Sequence, residues 1–577
     1  MSKLNIDQRT VASLFSDKRS DFLIPDYQRP YAWGEDECTT LWEDLKSFAF
    51  PNNSSQDFDS ENVEYFLGPI VTFKNEDGKQ EIIDGQQRLT TMMLLLRAFY
   101  SRFEHAQDDD TVETRKLIAR CIWKTNEMGR PIFDRLKIDS EVASDDDKDE
   151  FLSILEKGVA DGSMRSRYAT AYRFFSEKIA DFVDKMPMYT ALFPIRILNN
   201  VILLPIEAES QDTALRIFST LNDRGLPLAD ADIFKSQFYK HFSAEGRKDE
   251  FVARWKRLEE TAGLIFKPAS GTPLDELFTR YMYYLRARKG IRDTTTKSLR
   301  DFYSEGGYEI LKQDGTLDDL EALLGFWRRV DAQEGFSERV LRRLFVLSYA
   351  PNGMWAYLLS TWFLARRDEN SELDDGELYG FLRYITGFIY AYSLERPGVN
   401  ALRSPVYPAL IDIVNGRDAD FSAHLFDRET ITGRFRSYQF TNQRRFTRSM
   451  LVWWAYADPE QPLMGLDTTL EIEHIYARKR NEVHPLADRA NLEALGNKAM
   501  LEKRVNIRAA DYQLADKRKY YEGYVNDKGA EVPGTAVREL VEIARRGNFT
   551  EADIEGRTER IIVAFVDWLG ELGLLRE

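Results

Sequence analysis

The chain has 577 residues, enough for roughly two to four domains. With 43% hydrophobic and 13% aromatic residues it can bury several cores, and this composition excludes a mostly disordered protein. Its net charge of −16 argues against a surface that coats DNA without specificity, although a local basic site is compatible with it. Two cysteines, Cys38 and Cys121, exclude a disulfide framework and fit a reducing, cytoplasmic location. An apolar signal segment and a membrane-length apolar stretch are both missing, so we expect no membrane association.

The first hundred residues have a mixed α/β pattern. Two prolines in 21–33 (DFLIPDYQRPYAW) indicate a loop or edge strand, and helical spacing follows over 37–48. Strands are predicted at 65–74 and 80–84, and a helix rich in Leu and Met is predicted at 86–103.

The middle of the chain, about 110–450, has mostly helical periodicity. One buried strand is predicted at 200–206 (NVILLPI), and the recurring aromatic residues are interpreted as core packing. A stretch containing Pro and Gly, 458–465, then precedes a strand, a polar loop, a second short strand and basic helices. These patterns predict a predominantly helical α+β chain in three parts, residues 1–110, 111–450 and 451–577.

The last part carries the sharpest chemical signal, in 470–477 (LEIEHIYA) and 495–501 (LGNKAML). An apolar strand ends at Glu473 and His474, a second strand carries Asn497, and eight residues separate Asn497 from Asn506. This order resembles the His-Asn-His (HNH) nuclease motif, whose third position is often Asn. The resemblance implies a ββα-metal domain that hydrolyses phosphodiesters.

The HNH resemblance also assigns a role to each polar residue. His474 would be the general base that takes a proton from the attacking water. Glu473 and Asn506 would hold Mg²⁺ or Mn²⁺ through oxygen ligands. Asn497 would fix the loop and orient the His474 ring, and Lys517 would face the phosphate.

Basic residues surround this motif. The segment 433–449 (GRFRSYQFTNQRRFTRS) has five arginines, interleaved aromatic residues and no acid, which suits contacts to phosphates and bases. A solvated basic helix face is the competing interpretation of that segment. The expected contacts to the DNA backbone are Arg444, Arg445, Arg448, Arg504 and Arg508.

A second constellation lies near the N-terminus. Residues 82–91 (IIDGQQRLTT) predict a strand, a tight turn and the start of a helix, where free N–H groups and Arg88 could hold a phosphate. Together with 24–33 (IPDYQRPYAW), they resemble the N-terminal domain of the GmrSD family of modification-dependent restriction enzymes, whose fold is similar to ParB and sulfiredoxin. Residues 217–235 (IFSTLNDRGLPLADADIFK) resemble a third segment of that family, and the HNH block resembles its second domain.

The GmrSD resemblance implies an NTP-using sensor coupled to a nuclease. The chain has no Walker-type P-loop, so the nucleotide (GTP, UTP or ATP) would be bound in another way. The implied NTP site comprises Asp84, Gly85, Gln86, Gln87, Arg88, Asn222 and Arg224. The implied sensor of the DNA modification comprises Tyr27, Gln28, Arg29, Pro30 and Trp33.

The expected function is an anti-phage DNA endonuclease that nicks or cuts modified DNA under NTP control. Family members recognise glucosylated hydroxymethylcytosine or phosphorothioate backbones, and the sequence leaves both open. One alternative is an NTP-switched DNA-binding clamp with an inactive HNH module, and another is an RNA nuclease. Because an HNH domain cuts one strand, a double-strand cut would need a homo-oligomer or two successive nicks.

Overall fold

The computed structural model describes residues 5–6, 8–25, 28, 30–142, 147–210, 213–214, 217, 229–398, 400–510 and 513–576. The chain divides into two compact units, Met1–Lys256 and Arg257–Glu577. The predicted class, predominantly helical α+β, is confirmed, and the structure adds that the main sheet is mixed. The predicted part boundaries at 110 and 450 fall inside the helices Asp109–Ile122 and Arg445–Ala455. Among the described helices, none combines the length and the apolar character needed to cross a membrane.

The N-terminal unit alternates strands and helices. Its described strands are β1 (Asn5–Ile6), β2 (Arg9–Thr10), β3 (Phe22–Ile24), β4 (Tyr65–Lys74), β5 (Gln80–Asp84), β6 (Trp123–Thr125), β7 (Pro131–Leu136), β8 (Ile138–Ser140) and β9 (Val201–Ala208). Its described helices are α1 (Val11–Phe15), α2 (Glu35–Ala49), α3 (Gln86–Arg102), α4 (Asp109–Ile122), α5 (Lys148–Lys157), α6 (Arg167–Lys185), α7 (Leu192–Asn200) and α8 (Asp230–Ala244). Helix α9 (Lys248–Ile265) spans the division between the units.

A mixed sheet organises this unit. Its described strands follow the order β1-β9-β4-β5-β3-β8, and β2 also pairs with β9. Strand β4 is parallel to β9 and antiparallel to β5, while β3 is parallel to both β5 and β8. Helix α3 leaves the end of β5 and is buried along nearly its whole length, because its Leu and Met side chains form much of the core.

Two predictions for this unit need correction. Residues 22–24 form an internal strand rather than a loop or edge strand, because both prolines, Pro25 and Pro30, fall outside the short β3. The middle region holds the hairpin β6–β7 and strand β8 in addition to the predicted buried strand, β9. These strands were missed because β6 and β8 have three residues each and β7 is largely exposed.

The C-terminal unit is a helical body that carries a small hairpin. Its described helices before the hairpin are α10 (Pro273–Arg288), α11 (Leu299–Ser304), α12 (Asp314–Ala332), α13 (Glu338–Ser348), α14 (Met354–Arg366), α15 (Asp375–Glu395), α16 (Arg403–Val414), α17 (Arg428–Ser437) and α18 (Arg445–Ala455). The remaining elements are β10 (Leu470–His474), α19 (Arg478–Val483), β11 (Lys498–Glu502), α20 (Lys503–Ala509), α21 (Leu514–Glu522), β12 (Gly523–Val525), β13 (Glu531–Pro533), α22 (Arg538–Arg545) and α23 (Glu551–Glu571).

The hairpin of β10 and β11 is antiparallel, and His474 lies directly opposite Lys498. Helix α20 follows β11 directly and α21 comes after α20, while α23 packs against Leu495–Asn497, the turn that precedes β11. The chain therefore folds the motif residues of 470–520 into one small region.

Candidate functional site

Glu473 and His474 point to opposite faces of strand β10. Successive side chains of a strand alternate between its faces, and the contacts of these two residues agree with that rule. Glu473 contacts Lys517 and Tyr521, whereas the His474 imidazole approaches Glu493. The site therefore has two sides, one for each member of the Glu-His pair.

The His474 imidazole is largely buried, with 10% of its side chain exposed. Its Nε2 atom lies 3.4 Å from Glu493 Oε1, within ion-pair range, but has no correctly directed hydrogen-bond partner among the described residues. Burial lowers the pKa of His474 to about 4, although the nearby Glu493 carboxylate favours the charged form. The ring is therefore neutral at pH 7, which is the state that a general base requires.

Glu493 gathers the cations on the His474 side. Its Oε1 lies 2.9 Å from Arg478 Nη2, and its Oε2 lies 2.5 Å from Lys498 Nζ. Lys498 is completely buried and also donates a hydrogen bond to the carbonyl oxygen of Phe440. Burial raises the pKa of Glu493, but its cationic neighbours outweigh that effect and hold the pKa below its usual value. Glu493 was not predicted from the sequence, because its partners become neighbours only when the hairpin forms.

The opposite side holds a buried ion pair. Lys517 Nζ donates to Glu473 Oε1 and, at 3.0 Å, to the carbonyl oxygen of His474. The hydroxyl of Tyr521 donates to the same Glu473 oxygen at 2.7 Å. Lys517, which the motif places facing the phosphate, is instead buried against Glu473. A buried ammonium requires such a partner, because an unpaired charge is costly to desolvate.

Asn497 ties the loop that follows β10. It ends a 3₁₀ turn, Leu495–Asn497, just before β11 rather than lying within the strand as predicted. Its Oδ1 accepts a hydrogen bond from the Tyr476 amide at 2.7 Å, and its Nδ2 donates to the carbonyls of Tyr476 and Leu492. These side-chain bonds go to the backbone near His474 and not to its ring, so Asn497 positions the loop.

Arg557, on α23, clamps the same turn. It donates to the carbonyl oxygens of Gly496 at 2.9 Å and Lys498 at 2.7 Å, and it forms a paired contact with Glu539. Trp454 donates to the same carboxylate at 2.9 Å. Arg557 was not predicted from the sequence, although a charged residue at a buried helical position between Ile554 and Ile561 is a signal that could have revealed it.

The predicted metal ligands are not gathered around one point. Asn506 Nδ2 donates to Glu471 Oε2 at 2.8 Å, while the Lys517 ammonium already occupies Glu473. Within the described ranges, no group of three or more His, Cys, Asp or Glu side chains is placed to hold an ion. In this conformation the residues do not fit Mg²⁺ or Mn²⁺, and the divalent ion stays a prediction.

The predicted DNA-binding arginines border this region. Arg444, Arg445 and Arg448 are exposed at the start of α18, and the Arg444 guanidinium lies 4.8 Å from the centre of the Tyr438 ring. Their segment meets the hairpin through the bond from Lys498 to Phe440. The other two arginines, Arg504 and Arg508, lie on α20 beside Asn506.

The N-terminal motif forms a tight junction between β5 and α3. Gly85 has a φ of +93°, which turns the chain from the strand into the helix. One turn into α3, Arg88 Nη2 lies 3.2 Å from Asp84 Oδ2. Gly68 lies against this guanidinium, because a Cβ there would be 1.9 Å from Arg88 Nη1.

Two glutamines join the two N-terminal segments. Gln87 accepts a hydrogen bond from the Ala32 amide at 2.7 Å and donates to the carbonyl of Pro30 at 3.2 Å. Gln28 donates to the carbonyl of Ile83 at 3.1 Å. The structure therefore brings Gln28 and residues 30–32 beside the β5–α3 junction, as an NTP site built from both segments requires, but it uses the Gln87 amide for that purpose.

The remaining predicted residues of this unit fall into two groups. Gln86 is buried, and Trp33 packs half-buried against the core. Tyr27, Arg29, Asn222 and Arg224 lie outside the described residues.

Residues 11–239 match the family described as GmrSD restriction endonuclease, N-terminal domain. The match includes the two segments that the glutamines join. It ends before the C-terminal unit begins, so it carries no information on the hairpin site. No curated protein matches the chain.

Proposed function

We propose that this chain is a DNA endonuclease of the restriction type, with its nuclease centre at the β10–β11 hairpin and a regulatory sensor in the N-terminal unit. The single observation that carries this proposal is the buried His474 imidazole, which lies beside the cluster of Glu493, Arg478 and Lys498 and before a loop that Asn497 fastens. The match of the N-terminal residues to a restriction endonuclease domain supports DNA as the substrate.

The chemistry of the hairpin follows from its residues. His474 accepts a proton from a water molecule as the water oxygen attacks the phosphorus, and the P–O bond to the leaving oxygen breaks. Lys498 and Arg478 supply the positive charge that favours a phosphate beside His474. The exposed arginines Arg444, Arg445 and Arg448 hold the neighbouring backbone phosphates.

The N-terminal unit is the proposed site of control. Arg88, held by Asp84 over Gly68, supplies a guanidinium for an NTP phosphate at the start of α3. Gln28 and residues 30–33, anchored by Gln28 and Gln87, lie beside it and belong to the proposed reader of the DNA modification. Glucosylated hydroxymethylcytosine and phosphorothioate DNA both remain candidates.

A DNA-binding clamp with an inactive hairpin is the second candidate function. The ion pair of Lys517 with Glu473 favours it, because that ammonium occupies the carboxylate that a metal ion would use. A clamp of this kind would bind DNA through the same arginines and leave it uncut.

Nicking of supercoiled plasmid separates the two functions. Plain, glucosylated and phosphorothioate DNA are incubated with Mg²⁺ or Mn²⁺, with and without GTP, UTP or ATP, and an RNA substrate is run in parallel. We compare the wild type with His474→Ala and with His484→Ala, a change at an exposed histidine of the same loop. The nuclease is supported if the wild type and His484→Ala cleave DNA and His474→Ala does not. Binding without cleavage under every condition supports the clamp, and preferential cleavage of RNA contradicts both.

A further inference from the structure

The cations beside His474 converge on one carboxylate. Glu493 Oε1 lies 2.9 Å from Arg478 Nη2 and 3.4 Å from His474 Nε2, while its Oε2 lies 2.5 Å from Lys498 Nζ. Proteins also bind a phosphate in this way, with several nitrogen groups placed around its anionic oxygens.

Lys498 makes an anion at this point necessary. The side chain is 0% exposed, and its ammonium contacts the Glu493 carboxylate and the Phe440 carbonyl. Removing a buried charge from its counter-ion is strongly unfavourable. Glu493 can therefore leave only if another anion takes its place.

Glu493 is the member of this cluster that is free to leave. About 40% of its side chain is exposed, against 10% for His474 and 0% for Lys498, so it covers both of them. It ends a short 3₁₀ helix, Arg489–Glu493, in the loop between the two strands. Rotation of this one half-exposed side chain would take its carboxylate away from the buried nitrogens.

We propose that Arg478, Lys498 and His474 form a phosphodiester subsite, and that the Glu493 carboxylate fills it until a DNA phosphate takes its place. The inference rests on the proposed function, since it assigns the position of the phosphate that the water molecule activated by His474 would attack. The exchange replaces one negative charge by another, so the buried ammonium stays paired throughout. Glu493 thus restrains the site, because DNA must displace it to reach the imidazole.

The test measures binding of a 20-base-pair unmodified duplex to the full-length chain in a chelator, so that no cleavage is needed. Glu493→Gln keeps the shape and the acceptor oxygen but removes the competing charge. We expect it to tighten binding roughly 5- to 150-fold, the range typical of a coupling between two competing contacts. Glu482→Gln, at an exposed position on α19, removes the same charge elsewhere in the loop and should leave the affinity near the wild-type value.

Two further variants distinguish a specific effect of Glu493 on DNA binding from a folding defect. Glu493→Asp keeps the charge but shortens its reach, and it should tighten binding in the same direction as Glu493→Gln. Adding Lys498→Met to Glu493→Gln should cancel the gain, because the proposed phosphate partner is lost. Thermal unfolding of each variant shows which of them are folded.

Unchanged or weaker binding by both Glu493 variants overturns the subsite, as does equal tightening by Glu482→Gln. These outcomes are independent of cleavage. If the wild type nicks DNA but Glu493→Gln binds no better, the subsite fails and the nuclease stands. If no variant ever nicks but Glu493→Gln binds more tightly, the subsite stands and the nuclease proposal fails.

Discussion

Gly496 lies directly beneath helix α23, so that a Cβ atom at this position would be 2.1 Å from the carbonyl oxygen of Ile554. The Gly496 amide also donates to the Thr558 hydroxyl at 2.9 Å. The glycine of the Leu-Gly-Asn segment is therefore required by a helix that follows it by more than fifty residues. Because Asn497 comes next in the chain, α23 also fixes the loop of His474.

The Gly496→Ala variant should be destabilised by about 1–3 kcal/mol or more, the usual cost of adding a methyl group where there is no space. Gly556→Ala on α23 is the matched control, since its Cβ would meet only the Arg560 guanidinium, at 3.5 Å. That change should stabilise the helix by about 0.5–1 kcal/mol. Thermal unfolding of both variants checks the prediction, and equal stability of the two would contradict it.

Removal of the His474 imidazole should reduce the rate of plasmid nicking by about 10²- to 10⁴-fold, the usual contribution of a general base. His484→Ala should nick at the wild-type rate because that side chain is exposed. Single-turnover kinetics with saturating enzyme measure both rates. A His474→Ala rate within a few-fold of the wild type would mean that another group is the base.

The ion pair of Arg557 and Glu539 should make the unfolding free energy of the C-terminal unit depend on pH in the acidic range. Burial raises the pKa of Glu539, but the charge and hydrogen bonds of Arg557, together with the hydrogen bond from Trp454, lower it below the usual 4.5. The pair therefore stabilises the folded state above about pH 4.5, and this contribution is lost as the pH falls below that value.

Urea unfolding between pH 7 and pH 3 measures this dependence. Glu539→Gln should be less stable than the wild type at pH 7, and the difference should shrink toward pH 3. Glu555→Gln, which removes an exposed carboxylate from α23, should not appreciably change the dependence of the unfolding free energy on pH. A constant difference between Glu539→Gln and wild type across the range would show that the pair does not titrate in this way.

Gly68→Ala should weaken NTP binding by displacing Arg88. The new Cβ would lie 1.9 Å from Arg88 Nη1, so the guanidinium must leave Asp84. Gly78→Ala is the matched control, because Gly78 also has a positive φ but no atom within 4 Å of its Cβ position. Calorimetric titration with each NTP should show weaker binding for Gly68→Ala only. If Gly68→Ala and Gly78→Ala bind NTP with equal affinity, Arg88 is not part of the nucleotide site.

Replacing Arg444, Arg445 and Arg448 together by Ala should reduce the salt dependence of DNA binding. Each lost phosphate contact lowers the slope of log K against log salt by about 0.9, so the total change should approach about 3. Arg436→Ala is the control, because that guanidinium is paired with Glu559. If the slope of log K against log salt is unchanged in the triple variant, these three arginines do not contact the DNA backbone.

The sequence alone determined the elements nearest to the chemistry. Strands 65–74 and 80–84 have the observed bounds, the helix predicted at 86–103 is observed as Gln86–Arg102, and Glu473 and His474 end a strand as predicted. These features depend on hydrophobic periodicity and on turn residues such as Gly85, which act over a few neighbours in the chain. Residues 22–24 were predicted as a loop or edge strand and not as the internal strand that is observed, because three residues are too few for a periodic signal.

Only the tertiary structure decided which charges are paired and which side of the hairpin each motif residue faces. Lys517 is 43 residues from the His474 carbonyl to which it donates, and Arg557 is 59 residues from the carbonyl of Lys498. The sequence pattern predicted that Lys517 contacts a phosphate. In the fold, Lys517 is buried beside Glu473 and pairs with that carboxylate instead. Pairing of a charge depends on distance and desolvation, and both are set by residues that become neighbours only when the chain folds.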